Sequence, residues 1–286
     1  MSFRQELDDY FELSKPRITT LLLIVALASY SIASGPNWTW WGFLIVLVSV
    51  GTLGTGIFSL NHLLERKQDA LMVRTRNRPL PSGRVSPKRA AFFGWGFMLF
   101  GIVFSFWAAN VLTGIIAIFT AVSYLAIYTP LKYRTSFHTA LGALPGAVPP
   151  LAGWAVATGH LSAYAWVLFG VLCLWQFPHF LSIEMLYKDD YARAQVKVLP
   201  VVDRSGRWVA FQIWSSLLLL VAASLAPLCL GTGSFWTVSA MALLGLGFLW
   251  YGIQALRKPV PRSAKHLLRA SVLYLPLVFL VLYFHP

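Results

Sequence analysis

The chain has 286 residues, of which 57% are hydrophobic and only 12% charged, and its formal net charge is +13. This balance lies outside the range of soluble domains and indicates an integral membrane protein in a lipid bilayer. Basic loops at a membrane surface account for the positive charge, so we expect no nucleic acid partner.

Stretches without charged residues predict the transmembrane helices. A bilayer span needs about 20 residues, so each of the four long stretches predicts two helices and a turn, and the shorter last one predicts a single helix. The predicted fold is an all-α integral membrane protein with nine transmembrane helices in one bundle. The approximate spans are 18–34, 41–62, 90–108, 113–131, 139–157, 164–183, 208–228, 236–256 and 270–285. The predicted turns are 34–37, 109–110, 158–160 and 231–233.

The basic residues are distributed asymmetrically around these spans. All 23 Lys and Arg residues fall in segments that the hairpin topology places on one side of the membrane: 1–17, 65–89, 132–134, 184–207 and 257–269. By the positive-inside rule this side is cytoplasmic, which places the N-terminus in the cytoplasm and the C-terminus outside. We therefore expect a multi-pass protein of the cell inner (cytoplasmic) membrane.

The first acidic segment follows the second span. Asn61, Glu65 and Asp69 repeat every four residues, so on a continuing helix they line one face. Carboxylates with water and substrate phosphates are the ligands that Mg²⁺ prefers, and Arg74 and Arg78 carry forked donors suited to phosphate oxygens. The alternative is that these acids pair with neighbouring basic residues in an ordinary charged loop.

The second acidic segment carries Asp189 and Asp190 on the same predicted membrane face. Two acidic groups on one face predict a diphosphate held between them through metal ions, with basic residues around it. Glu65, Asp69 and Asp190 are the predicted catalytic residues, and with Asp189 they form the predicted metal site. The predicted diphosphate-binding residues are Asn61, Arg74, Arg78, Lys132 and Arg134. Glu184 and Asp203 have no predicted role.

The middle of the chain carries features of a cavity wall. Pro145, Pro149 and Pro150 interrupt helical hydrogen bonding, which indicates a kinked, cavity-lining helix or an ordinary transmembrane proline kink. Gln176 and His179 are polar positions in an apolar span and predict an acceptor pocket. His179 is a candidate for substrate contact, proton transfer or haem ligation, although a histidine at a helix end is often only hydrogen-bonded.

Together these motifs resemble the UbiA-type intramembrane prenyltransferases, and within them the protohaem IX farnesyltransferases. The resemblance runs from Lys15 to about Val202. It is carried by the acidic segments together with short motifs at the following positions: 74–75, 78–80, 146–147, 149–150, 153–154, 175–179, 190–191 and 199–202. On this basis residues 1–286 are expected to form a single UbiA-like transmembrane prenyltransferase domain.

The resemblance implies a reaction and its partners. Mg²⁺ would support binding of farnesyl diphosphate, and the farnesyl group would pass to a vinyl group of haem b to give haem O. It also implies contact with a haem A synthase or a terminal oxidase assembly. The sequence departs from the family pattern at four positions: Glu65, Lys67, His138 and Lys197. The alternatives are a quinone precursor or a chlorin as the acceptor and, in a different class, a membrane transporter.

Overall fold

The computed structural model describes residues 3–229, 234–257 and 260–284, and the regular secondary structure of these residues is helical. In chain order the helices are α1 (Phe3–Leu13), α2 (Pro16–Ser34), α3 (Trp40–Asp69), α4 (Pro87–Ala109), α5 (Val111–Leu131), α6 (His138–Gly146), α7 (Pro149–Thr158), α8 (Ala163–Leu186), α9 (Lys188–Arg193), α10 (Leu199–Val202), α11 (Arg207–Cys229), α12 (Phe235–Arg257) and α13 (Pro261–Phe284).

Nine helical segments within the described ranges are long and apolar enough to cross a bilayer, with α6 and α7 together forming one of them. The predicted number of spans is therefore confirmed, and the chain is a multi-pass membrane protein. The predicted turn at 231–233 lies outside the described residues. The last span begins at Pro261 rather than at residue 270, because its basic residues are compatible with a helix and Pro suits the first helical position.

Glycines allow α3 and α4 to approach closely. A Cβ atom at Gly56 would lie 2.3 Å from the backbone nitrogen of Met98, and one at Gly101 would lie 2.7 Å from that of Leu53. Such distances are shorter than real contacts, so only glycine fits at these crossings. The pair forms one side of the bundle and fixes α3, whose C-terminal turns carry Asn61, Glu65 and Asp69.

The span formed by α6 and α7 is broken at Ala147 and Val148, between Pro145 and Pro149. Residues at this break line an internal cavity, so the prediction of a kinked, cavity-lining helix is confirmed. The Gln176 side chain of α8 donates through Nε2 to the Ala143 carbonyl at 2.9 Å. The same carbonyl also accepts the Ala147 backbone N–H at 3.0 Å, so the glutamine adds a second donor from a neighbouring helix beside the kink.

The N-terminal helix α1 has two distinct faces. Phe3, Leu7 and Phe11 are exposed, whereas Asp9 is buried. Arg84 forms ion pairs with Asp9 and Glu12, and Arg89 pairs with Glu6 at 2.9 Å. An apolar face turned outward from a membrane protein, with the polar face held by ion pairs, is typical of a helix at the lipid interface.

Candidate active site

A cavity of about 420 Å³ lies within the bundle, bordered by α2, α3 and α5 to α8. Charged residues line one part of it, which we call the ionic mouth: Lys15, Glu65, Asp69, Arg74, Arg78 and Lys132. These residues lie at the start of α2, at the end of α3 and in the loop after it, and just after the end of α5. Aliphatic side chains line the interior: Leu21, Val25, Leu53, Ile57, Ile116 and Leu172. The cavity therefore suits an amphiphile with one highly charged end.

Lys15 enters the mouth from the junction of α1 and α2. Its backbone is left-handed (φ 48°), which is uncommon for a residue other than glycine. Its Nζ atom donates to Asn61 Oδ1 at 2.7 Å and lies 5.3 Å from the centre of the Phe58 ring. Burial lowers the pKa of Lys15 to about 7, with Arg78 and Lys132 adding to the shift and Glu65 opposing it.

Glu65 and Lys132 form the ion pair at the centre of the mouth. The Lys132 Nζ atom donates to Glu65 Oε1 at 2.5 Å and lies 4.5 Å from the centre of the Tyr128 ring. Burial opposes the charge on Lys132, but Glu65 and the neighbouring tyrosines outweigh it and raise the pKa of Lys132. A π-helical stretch of α5, Ser123–Tyr128, precedes this lysine and carries Tyr128 to the cavity wall.

Asp69 occupies the last turn of α3 and is almost completely buried. Arg78 NH1 donates to both of its carboxylate oxygens, at 3.1 and 2.9 Å. The Asp69 carbonyl accepts a hydrogen bond from the Thr75 hydroxyl at 2.9 Å. The loop after α3 thus folds back on the acid, which brings Arg78 into the mouth.

Asp190 lies under the same loop. It accepts hydrogen bonds from the backbone N–H groups of Val73 and Arg74, both at 3.2 Å, and from the Arg193 side chain. Burial raises the pKa of Asp190, but these donors outweigh it and the pKa is lowered below its usual value. The second acidic segment is therefore joined to the first, with Asp190 holding the backbone of Arg74.

The other residues predicted to bind metal or diphosphate differ in whether they reach the cavity. Arg74 lines the cavity and lies over the ring of Tyr187, 4.9 Å from its centre. Asp189 and Arg134 are exposed, and neither lines the cavity. Asn61 is buried beside the mouth, where its amide also donates to the Thr129 hydroxyl at 3.2 Å.

The predicted acceptor residues also line the cavity. His179 stacks on Trp175 with ring centres 4.6 Å apart, and its Nδ1 atom lies 2.8 Å from the Ser271 hydroxyl. Gln176 uses its Nε2 atom to bond the Ala143 and Leu172 carbonyls. The histidine thus has a fixed orientation at the wall, and the glutamine supports the kink between α6 and α7.

The side-chain oxygen atoms at the end of α3 are of the type that binds magnesium. Glu65, Asp69 and the amide oxygen of Asn61 are hard ligands that lie on successive turns of one helix face. In the described part of the chain, no three His, Cys, Asp or Glu side chains form a ready metal cluster. Lys132 and Arg78 instead neutralise the two α3 carboxylates, so a bound metal would exchange with these cations.

Several cavity residues had no predicted role: Lys15, Tyr128, Tyr133, His138, Glu184 and Tyr191. Lys15 immediately precedes Pro16, and Glu184 is an acid at the end of an apolar span, so both carried a signal in the sequence. Asp203 is explained by local structure, since its carboxylate accepts the backbone N–H groups of Gly206, Trp208 and Val209 at the start of α11.

Comparison with known proteins gives a consistent result. The model of the UbiA prenyltransferase family matches residues 22–280. A protoheme IX farnesyltransferase of Solibacter usitatus is 44% identical, with 95% of this chain and 96% of the relative covered. Another of that name from Salinibacter ruber is 40% identical, with coverage of 94% and 95%.

Solved structures share the fold. One described as a digeranylgeranylglyceryl phosphate synthase has a TM-score of 0.81 at 20% identity and covers 98% of both chains. A UbiA homolog from Archaeoglobus fulgidus bound to GPP and Mg²⁺ has a TM-score of 0.71 at 16% identity, with coverage of 96% and 99%. The sequence and fold comparisons together establish that this chain belongs to the UbiA prenyltransferase family.

Proposed function

We propose that the chain is a protohaem IX farnesyltransferase, which transfers the farnesyl group of farnesyl diphosphate to a vinyl group of haem b and gives haem O and diphosphate. The observation that carries the proposal is one cavity that combines an ionic mouth with an aliphatic interior. A farnesyl diphosphate has the same division between a charged end and an apolar chain. The names of the similar proteins support the choice of haem as the acceptor.

The diphosphate is proposed to bind at the ionic mouth. Arg74, Arg78 and Lys132 provide cationic donors from two different loops, and Asn61 provides an amide. Lys15 joins this set because its ammonium group is already in the mouth. Arg134 is exposed at the rim and is proposed to contribute only long-range attraction. Donors fixed in advance stabilise the charge that develops on the leaving diphosphate.

The metal is proposed to be Mg²⁺, held by Glu65 and Asp69, while Asp190 holds the loop of Arg74 beside them through backbone hydrogen bonds. Asp189 is exposed and does not line the cavity, so it is proposed to have no direct contact with the metal. When bound, Mg²⁺ would neutralise phosphate charge and help the diphosphate to leave. Its entry would free Lys132 and Arg78 from their carboxylates to contact phosphate oxygens.

The aliphatic interior is proposed to hold the farnesyl chain. Its side chains keep bulk water away from the allylic carbon while the bond to oxygen breaks. Gln176 and His179 are proposed to form the acceptor side, where the stacked His179 ring offers a flat polar surface beside Trp175. The haem vinyl carbon would then bond to the allylic carbon, and water would complete the hydroxyethylfarnesyl group.

The arrangement in the cell is also a proposal. The basic segments indicate a cytoplasmic N-terminus, an external C-terminus and the inner (cytoplasmic) membrane as the location. Residues 1–286 are proposed to act as one domain. Contact with a haem A synthase or a terminal oxidase assembly would pass on a product that is poorly soluble in water.

The purified protein allows a direct test. Diphosphate release from farnesyl diphosphate should require Mg²⁺ and rise strongly when haem b is added. Release that rises with a quinone precursor or chlorin, and not with haem b, would assign another acceptor. Uptake of farnesyl diphosphate into vesicles without release of diphosphate would indicate a transporter.

A further inference from the structure

Glu184 differs from the other acids of the cavity. It is 4% exposed and lines the cavity from α8. Its Oε1 atom accepts a hydrogen bond from the Thr139 hydroxyl at 3.0 Å, whereas its Oε2 atom has no hydrogen-bond partner. Burying an unpaired carboxyl oxygen is costly, so its retention at a cavity wall points to a ligand or a reaction that uses it.

The other buried acids near the cavity already have basic partners in the described structure. Glu65 pairs with Lys132, Asp69 with Arg78, and Asp190 with Arg193. Glu184 instead has neutral hydrogen-bond donors, the Thr139 hydroxyl and, more weakly, the Leu199 backbone N–H. Among these acids of the described structure, Glu184 is therefore the one without a cationic partner, so its carboxylate is available to accept a proton.

Glu184 is also close to the proposed site of bond formation. Thr139 adjoins His138, whose ring centre lies 6.1 Å from that of Tyr128. Tyr128 in turn lies beneath Lys132, which pairs with Glu65 in the ionic mouth. Glu184 therefore lines the same cavity wall as these neighbours, which lead from α6 to the ionic mouth, and the first carbon of a farnesyl chain is proposed to lie along this wall.

We propose that Glu184 accepts the proton released when water completes the hydroxyethylfarnesyl group; this inference rests on the proposed function. In that reaction the carbon–oxygen bond to diphosphate breaks, and its electron pair leaves with the diphosphate. The terminal vinyl carbon bonds to the farnesyl carbon, which leaves a positive charge on the inner vinyl carbon. Water oxygen bonds to that carbon, one O–H bond breaks, and the proton goes to Glu184 Oε2. No oxidant or reductant is needed.

Thr139 has a positioning role in this proposal. Its hydroxyl holds Oε1 and so limits rotation of the carboxylate, whose Oε2 atom has no hydrogen-bond partner. Removing this bond leaves the carboxylate present but free to rotate. Thr139→Val should therefore weaken the same step less than removal of the acid itself.

The test compares purified wild type, Glu184→Gln and Thr139→Val with haem b, farnesyl diphosphate and Mg²⁺, using mass spectrometry of the haem products. Loss of a general base slows its step by roughly 10²–10⁴-fold. Glu184→Gln should form haem O at least about 100-fold more slowly, with a larger share of farnesylated haem that is lighter by one water molecule. Thr139→Val should shift the product ratio in the same direction but less.

Glu12→Gln is the matched control, because Glu12 is an exposed acid of α1 and should leave both rate and product ratio unchanged. Glu184→Asp keeps the acid and tests the proposal even where Glu184→Gln fails to fold, with an intermediate product ratio expected. A Glu184 variant that folds and matches the wild type in both rate and product ratio would overturn the inference. A wild type that makes no farnesylated haem would instead overturn the proposed function.

Discussion

The two acidic segments have similar compositions but use their carboxylates differently. Glu65 and Asp69 line the cavity from the last turns of one long helix. In the second segment Asp189 is exposed, and Asp190 is buried under the loop that carries Arg74. An acid-rich segment beside a cavity can therefore line the cavity itself or hold in place the segment that lines it.

Backbone geometry explains the contrast. The first acids follow a helix that continues unbroken to Asp69, so their spacing of four residues becomes a row on one face. The second acids follow the end of α8 at Leu186 and fall in the short helix α9. There Asp190 meets two free backbone N–H groups of the first loop, and such bonds to a carboxylate are strong.

The largest effect is expected from Asp69→Asn. This change keeps the size of the side chain but removes the charge that is proposed to hold Mg²⁺, so farnesyl transfer should fall by roughly 10²–10³-fold. Transfer is measured with the purified protein and labelled farnesyl diphosphate. Asp189→Asn is the matched control and should stay near the wild-type rate; equal losses in the two variants would show that the segments act alike.

Asp190→Asn should have the next largest effect. A hydrogen bond to a charged group contributes about 1.5–3 kcal/mol, and its loss would release the backbone of Arg74. We expect a higher KM for farnesyl diphosphate and faster proteolysis between residues 70 and 86. If kcat alone falls and the loop stays protected, Asp190 contacts the metal rather than positioning the loop.

Lys15→Met should act mainly on binding. The change removes a buried ammonium group that already touches Asn61, while the methionine fills a similar volume. The KM for farnesyl diphosphate should rise about 10-fold, as expected for one charge-assisted contact, with little change in kcat. An unchanged KM would remove Lys15 from the proposed diphosphate site.

Gly146→Ala should give the smallest effect and should act on the acceptor. A Cβ atom at Gly146 would lie 2.1 Å from Gln176 Oε1, so the amide must shift. The KM for haem b should rise by a few-fold while that for farnesyl diphosphate stays constant, and unfolding should become easier by about 1–3 kcal/mol. Gly170→Ala is the control because nothing lies within 4 Å of the added atom.

Much of the fold was predictable because the bilayer imposes strong rules. Charge-free stretches gave the number of spans, and the spacing of Asn61, Glu65 and Asp69 gave their common helix face; the family prediction is also confirmed. The predicted start of the last span, residue 270, was wrong because hydropathy identifies apolar residues and does not mark where a helix begins. The exposed apolar face of α1 was not predicted, although Phe3, Leu7 and Phe11 repeat every four residues in the sequence.

The site was only partly predictable because burial and partners depend on the packed structure. Asp189 and Asp190 are adjacent and chemically identical, yet one is exposed and the other accepts backbone N–H groups. Lys15 and Glu184 are distant from the acidic segments along the chain, and only helix packing brings them to the cavity. The unpartnered oxygen of Glu184 is visible only in three dimensions.

The most direct test is mass spectrometry of haem extracted from a host that lacks its own haem O synthase. Expression of the wild-type chain should produce a haem O peak, and expression of Asp69→Asn at the same membrane level should not. Haem b as the only haem in both extracts would contradict the proposed reaction. An equal haem O peak from both would contradict the role of the α3 carboxylates in it.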